Sequence, residues 1–411
     1  MDEWTGLLTG GTPAGKDAEV MQNTARAPSD QRHFALFRNN FLPVSETFIH
    51  DELRHHRRYR ATVFARRLMN ADRFPGHDVV SLDQGPFGAR SPLSLGYLAT
   101  ALHPRFFSAL HDQDFQLIHT HFGHNTPYSF PYVKASKLPW IVSLHGADVT
   151  MLLGTERFNP RWWYYTLIAR RLFQHVDRFL AASTELAELA IQAGCRRDRI
   201  VVHRLGIDLT RFRPRQERLA FDGKAPLVLM VGRFVEKKGF DFGIRAFAKV
   251  ARGSAVRMVL VGTGPLASRY RDLVSSLGLT DRVQFTGALP PEGVARLMSQ
   301  AQVVMTPSVV ASNFDRESGI IVAKEACASG VPVVGTWHGG LPEIVESGRT
   351  GYLVPERNVD GLSQALSDLL AHPDRAFEMG RAARAKMERE YDIRERNEVL
   401  ERIYDDVIVG H

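Results

Sequence analysis

Two carboxylates eight positions apart, Glu317 and Glu325, bracket the apolar stretch in "ESGIIVAKE". Acids around a segment that reads as core are either solvated charges at the ends of a buried helix or two grips on one long polar ligand. On a single helix they would stand about 12 Å apart along the axis. Carboxylate pairs that perform double displacement on glycosides stand about 5–5.5 Å apart, so this pair is too wide for an acid and its nucleophile. Its reach suits a ligand with hydroxyls at both ends. Two cations in "VGRFVEKKG", Arg233 and Lys238, follow an apolar strand. Alone they read as surface charge; together they suit a diphosphate, each charge-assisted bond contributing roughly 1.5–3 kcal/mol. A nucleotide sugar meets both needs, with hexose hydroxyls near one acid, ribose hydroxyls near the other and the diphosphate on the cations.

Glycine turns recur around these residues. "VGTGPLA", with Gly262 and Gly264, follows a strand and opens a helix, where backbone amides can face an anion. The turn Glu317, Ser318, Gly319, Ile320 repeats the pattern, and so does "TWHGGLPE" from Thr336 to Glu343. One such turn means little; several at successive strand ends imply a site. Four other motifs lead nowhere. "GGTPAGKD" has Asp17 where a phosphate-binding loop needs Ser or Thr, and no strand precedes it. "DQD", Asp112 to Asp114, precedes a strand where a metal-binding acid pair would follow one. His119 and His121 in "HTHFGH" alternate along a strand, with no Cys or acid completing a metal set. "DFG" at Asp241 lacks every other kinase signature. No metal and no cofactor are expected.

Elements that could position these residues alternate along the chain. A length of 411 residues favours two domains. Continuous apolar strands such as "LVLMV", "VRMVLV" and "PWIVSL" alternate with helical segments, the pattern of parallel sheets covered on both faces. The expected fold is α/β, two Rossmann-like domains facing each other across a cleft. The expected divisions are a disordered tail over 1–30, a first domain over 31–209, a proline-bearing linker over 210–226, a second domain over 227–388 and a C-terminal helix over 389–411 packing back on the first domain. No run of eighteen apolar residues exists. No basic-then-apolar leader opens the sequence, and Cys195 and Cys327 lie far apart without CxxC spacing, so a cytoplasmic location is expected. The net charge of +7 gathers in the first half, in "RHHRRYR", "ARRL" and "PRWWYYTLIARRL". Such runs read either as solvated helix faces or, with Trp162, Trp163, Tyr164 and Tyr165 interleaved, as a contact for an anionic membrane surface. No nucleic-acid module accompanies the charge.

The stretches "VGRFVEKKGFD", "LVGTGP", "VQFTGAL" and "DRESGIIVAKEACASGVPVVGTWHGGLPEIVESGRTGYLVP" together resemble the donor domain of the retaining family 4 glycosyltransferases, which have the two-domain GT-B architecture. In the first half, "LPVSETFIHDEL", "IHTHFGHNTPY" and "SLHGADV" resemble the subgroup that builds bacterial exopolysaccharides and lipopolysaccharide cores. The resemblance implies a metal-independent hexosyltransferase using a nucleotide-diphosphate sugar and a lipid-linked or saccharide acceptor, and the basic, aromatic first half adds an expected place at the inner face of the membrane. It implies that Arg233 and Lys238 bind the donor diphosphate and stabilise the leaving phosphate. It also implies that Glu317 contacts the transferred sugar, Glu325 the ribose, and that His145 of "LHGAD" lies near the reacting centre; a strand-end structural histidine is its plainer alternative. Gly262, Gly264, Ser318, Gly319 and Ile320 would line the donor. The chain departs from the family where Ser318, not glycine, follows the first acid, which alters the amides around the sugar. The rivals are a nucleotide-dependent oxidoreductase, since "GTGPLA" matches a dinucleotide fingerprint, and a sugar-nucleotide epimerase of the same fold.

Overall fold

The computed structural model describes residues 31–43, 46–83, 91–214 and 225–411. The tail over 1–30, with its "GGTPAGKD" stretch, and most of the 210–226 linker lie outside them. In the first half the strands are β1 (Arg32–Phe37), β2 (Asn40–Phe41), β3 (Tyr59–Ala65), β4 (Arg67–Leu68), β5 (Asp78–Ser81), β6 (Leu117–His121), β7 (Trp140–Leu144), β8 (Arg178–Ala181) and β9 (Ile200–Val202). Seven of these form one parallel sheet in the order β5-β3-β1-β6-β7-β8-β9, and β2 pairs with β4 separately. In the second half β10 (Leu227–Val231), β11 (Arg257–Val261), β12 (Val283–Gly287), β13 (Val303–Thr306), β14 (Val333–Thr336) and β15 (Gly351–Val354) form a parallel sheet in the order β12-β11-β10-β13-β14-β15. Strands β6 and β7 are buried at every position, as sheets covered on both faces require.

In each sheet the strand order reverses once, between β1 and β6 and between β10 and β13. Loops leaving the carboxyl ends of two such strands diverge to opposite faces and leave a crevice, where open α/β sheets take their ligands. The loop after β10 carries Arg233 and Lys238, and the loop after β13 carries Glu317. The topology therefore gathers on one sheet edge residues that lie some eighty positions apart in the chain.

The helix Thr184–Ala193 is bounded by its own capping residues. Ser183 caps it by accepting the Leu186 N–H at 3.2 Å, and Gly194 ends it at φ +109°. The last helix, Ile393–Val409, returns to the first sheet. Leu400, Ile403, Tyr404 and Val407 pack with Phe34, Leu36, Val63 and Leu117 in one buried cluster. Its acids also take up the first basic run. "RHHRRYR" is not a solvated helix face: it spans the end of the helix Thr47–Arg54 and the start of β3. Arg57 pairs with Glu398 at 2.5 Å, Arg58 with Asp405 at 2.5 Å, and His56 with Glu401 at 3.2 Å.

Candidate functional site

Glu317 lies in the loop between β13 and the helix Ile321–Ala328, so the two acids do not share a helix; only Glu325 stands on it. Lys238 reaches the Glu317 carboxylate at 2.7 Å and Lys237 approaches it at 3.6 Å. Burial pushes the Glu317 carboxyl up, but the charges of Lys238 and Lys237 outweigh it and hold the group at about 2. The stem of Lys238 lies over Gly232, 3.2 Å from where a β-carbon would stand, beside the exposed Arg233. Glu325 is half-buried, within the fields of Lys238, Asp51 and Arg211; burial first, then the Asp51 charge, pushes it up to about 7. Lys237 escaped the sequence reading although it is the neighbour of Lys238. It also bonds Asp315 at 3.1 Å, so both lysines of "EKK" face the acidic loop.

The loop is held from below. Gly339, at φ +55°, lies so close under Glu317 that a β-carbon would stand 2.2 Å from its carbonyl oxygen. Gly262 plays a similar part between the loops after β10 and β11, where a β-carbon would meet the Gly232 oxygen at 1.9 Å, and Gly264 likewise sits against the Phe234 backbone. Gly319 does not carry the left-handed turn its type suggests. That conformation falls on Ile320, at φ +30°, which is costly for a β-branched residue. Gly319 instead makes room for Leu205, whose methyl would lie 3.2 Å from a β-carbon.

Across the crevice stands the turn after β7. At Gly146, φ +119°, a β-carbon would be 3.3 Å from that of Ser318 and 3.5 Å from the Arg316 carbonyl oxygen. His145 directly precedes it. Asp148, the acid of "GAD", accepts the N–H groups of Gly146, Gly123 and His145 and so fixes the turn. The His145 Nε2 meets His121 Nδ1 at 3.1 Å, and its ring lies against Phe122 and Phe48. Burial, then the neighbouring His121, holds its pKa well below the usual histidine range, so the imidazole is neutral. Ser318 Oγ is 3.3 Å from Ser183 Oγ, and Arg316 pairs with Glu185, so the two sheets' loops also touch directly.

The expectation that no acid completes a set with His119 and His121 is corrected. Glu52, on the helix Thr47–Arg54, brings a carboxylate oxygen to within 4.8 Å of a nitrogen on each. His119 is already engaged on both ring nitrogens, by Tyr404 Oη at 2.7 Å and Ser143 Oγ at 2.8 Å. His121 faces Glu52 at 3.3 Å; burial raises the Glu52 carboxyl, but His121 brings it down to about 2. As it stands, the trio is a buried polar network behind His145.

Sequence models of two families match the chain: "glycosyl transferase 4-like domain" over residues 51–206 and "glycosyl transferases group 1" over residues 212–386. The chain is 33% identical over 251 residues to a protein of Escherichia coli K12 named as the colanic acid biosynthesis glycosyltransferase WcaL, covering 60% of this chain and 59% of that one. It is 28% identical over 325 residues to the amylovoran biosynthesis glycosyltransferase AmsK of Erwinia amylovora, covering 78% and 76%. The HepE protein of Anabaena, crystallised with UDP, superposes with a TM-score of 0.73 at 20% identity over 92% of this chain and all of the other. At that identity the likeness is one of fold.

Proposed function

The chain belongs to the family 4 glycosyltransferases, and from that premise we propose that it moves a hexose from a nucleotide-diphosphate sugar to a saccharide or lipid-linked acceptor in bacterial surface polysaccharide synthesis. The observation that carries this reading is the Glu317–Lys238 contact at the strand-order reversal of the second sheet, opposite the His145 turn. The family match over both halves supports glycosyl transfer, and the names of the relatives support the polysaccharide part.

In the proposed mechanism the leaving diphosphate lies along Arg233 and Lys238. Lys238 then bridges phosphate and carboxylate, so the charge that develops on the departing oxygen meets a cation already fixed in place. Glu317, ionised at every physiological pH, accepts hydroxyl protons of the sugar, and Glu325 those of the ribose. His145, neutral, lines the reacting face. The acceptor hydroxyl attacks from the side on which the diphosphate leaves and passes its proton to a phosphate oxygen, which retains the anomeric configuration without a protein base. The cations of the protein take the role that a divalent metal plays elsewhere.

Screening UDP-, GDP- and dTDP-sugars for hydrolysis and transfer tests the activity. Glu317→Gln and Lys238→Ala should each remain folded and lose transfer; wild-type turnover in either overturns the assignment. Proton couplings of the product's anomeric centre test retention, and transfer that stops in EDTA would refute metal independence.

A second reading concerns where the enzyme works. No helix among the described residues is long and apolar enough to cross a membrane. The helix Pro92–Thr100 and the residues just beyond it nevertheless expose Leu93, Leu95, Leu98 and Leu102, and the segment 158–167 exposes Phe158, Trp163 and Leu167 beside Arg157 and Arg161. Apolar side chains flanked by arginines fit an anionic lipid surface, which we propose as the site of the acceptor.

A further inference from the structure

His338 and Glu356 take no part in the mechanism above, yet they form a chain that ends on Glu317. The Glu317 backbone N–H donates to His338 Nε2 at 3.1 Å. An N–H can donate only to an unprotonated ring nitrogen, so the ring proton sits on Nδ1. There it faces Glu356 Oε1 at 2.6 Å. The Glu356 carboxylate is itself fixed, its other oxygen accepting the Val310 N–H at 2.9 Å. Burial raises this carboxyl, but the bonds from His338 and Val310 bring it below the ordinary range, so it stays an acceptor. His338 is 3% exposed and cannot swing out to water without leaving the Glu317 amide unpaired.

The direction of these bonds matters. Gly339 presses on the Glu317 carbonyl and His338 holds its amide, so both backbone groups of the residue are gripped by consecutive residues of one turn. What is left to meet a ligand is the carboxylate, already steadied by Lys238 and Lys237. The grip also sits just before Ile320, whose left-handed backbone needs support from its surroundings.

We propose that His338, held in its Nδ1–H tautomer by Glu356, is a positioning residue for Glu317, setting the carboxylate against the transferred sugar while leaving the nucleotide contacts alone. The proposal rests on the reading of Glu317 as a sugar ligand. It predicts a split that a general loss of structure would not give. UDP and GDP lack the sugar, so their affinity stays within about twofold of wild type in His338→Phe and Glu356→Leu. Turnover of UDP-glucose or GDP-mannose, whichever wild type accepts, falls at least tenfold in both. Glu356→Gln, whose amide oxygen still accepts the Nδ1 proton, and His338→Gln, whose amide oxygen still reaches the Glu317 N–H, recover most of that loss.

The decisive experiment measures nucleotide affinity, turnover and the histidine ring nitrogen shifts by NMR in histidine-labelled protein across this set. His338 should show a protonated Nδ1 and a free Nε2, a signature that Glu356→Leu blurs and Glu356→Gln keeps. Turnover unchanged in folded His338→Phe and Glu356→Leu overturns the proposal, as does parallel loss of nucleotide affinity and turnover, or a ring proton on Nε2. If wild type neither binds nor turns over these four probes or any sugar of the UDP-, GDP- and dTDP- screen, the glycosyl-transfer reading falls instead, and the NMR arm still decides the tautomer.

Discussion

Replacing Lys238 by Met removes the nearest cation from Glu317 while keeping a stem over Gly232. The pair is enclosed, with side chains 19% and 9% exposed, so water cannot substitute for the lost charge. Glu317 is held at about 2 against an ordinary 4.5, which corresponds to about 3 kcal/mol of stability. Because the folded value lies below the unfolded one, that contribution is present above about pH 4.5 and is lost as the pH falls towards 2. Both lysines must also offset the burial that raises the carboxyl, so with Lys237 at 3.6 Å against 2.7 Å the share of Lys238 is at least about 2 kcal/mol. A double-mutant cycle of K238M and E317Q, followed by urea unfolding at pH 7, should return a coupling of that size. At pH 5 the K238M penalty should shrink, since without Lys238 burial dominates and the carboxyl takes up a proton. A coupling under about 0.5 kcal/mol, or a penalty that does not move with pH, would refute the reasoning.

Other outcomes follow from single features. Glu325, pushed up to about 7, binds a proton as the pH drops below that value; its protonated form is the weaker acceptor, so nucleotide affinity should fall from pH 8 to pH 6, and Glu325→Gln should flatten the profile in calorimetry. Gly339→Ala forces a β-carbon against the Glu317 oxygen at a left-handed backbone, and should cost about 1–3 kcal/mol in unfolding along with most turnover. Trp163→Ser with Leu167→Ser should abolish co-sedimentation with phosphatidylglycerol vesicles and leave transfer to a water-soluble acceptor intact; retained co-sedimentation sinks the membrane reading. Tyr404→Phe removes the bond to His119 and should lower stability by about 1 kcal/mol.

The second half of the chain was legible because its strands are continuous apolar runs ending in glycine turns, and the loops after β10 and β13 follow from that pattern alone. The first sheet was less so. Strand β3 begins inside "RHHRRYR", where charge masks the strand, and the acids that neutralise it lie on the last helix, beyond any local signal. The acid that joins His119 and His121 comes from another helix for the same reason. At the site, residue types suggested two carboxylates and two cations. They did not reveal that Lys237 shares the work, that the left-handed residue is Ile320 and not Gly319, or that His338 serves Glu317. Each of these depends on how two loops meet, which spacing within one loop does not encode.

The return of the terminal helix to the first sheet reverses the order in which the two halves can be finished during synthesis. Residues 227–390 hold every strand of the second sheet, and all of them leave the ribosome before the terminal helix does. The first sheet, though made earlier, must wait with Phe34, Leu36 and Leu117 uncovered until Leu400, Tyr404 and Val407 emerge. The crossing is pinned where Ile207 exchanges backbone bonds with Tyr391 and Ile393, at 2.8 and 3.1 Å. A nascent chain stalled before residue 393 should therefore lack the helix that covers this part of the first sheet, and expose apolar surface that holding chaperones bind.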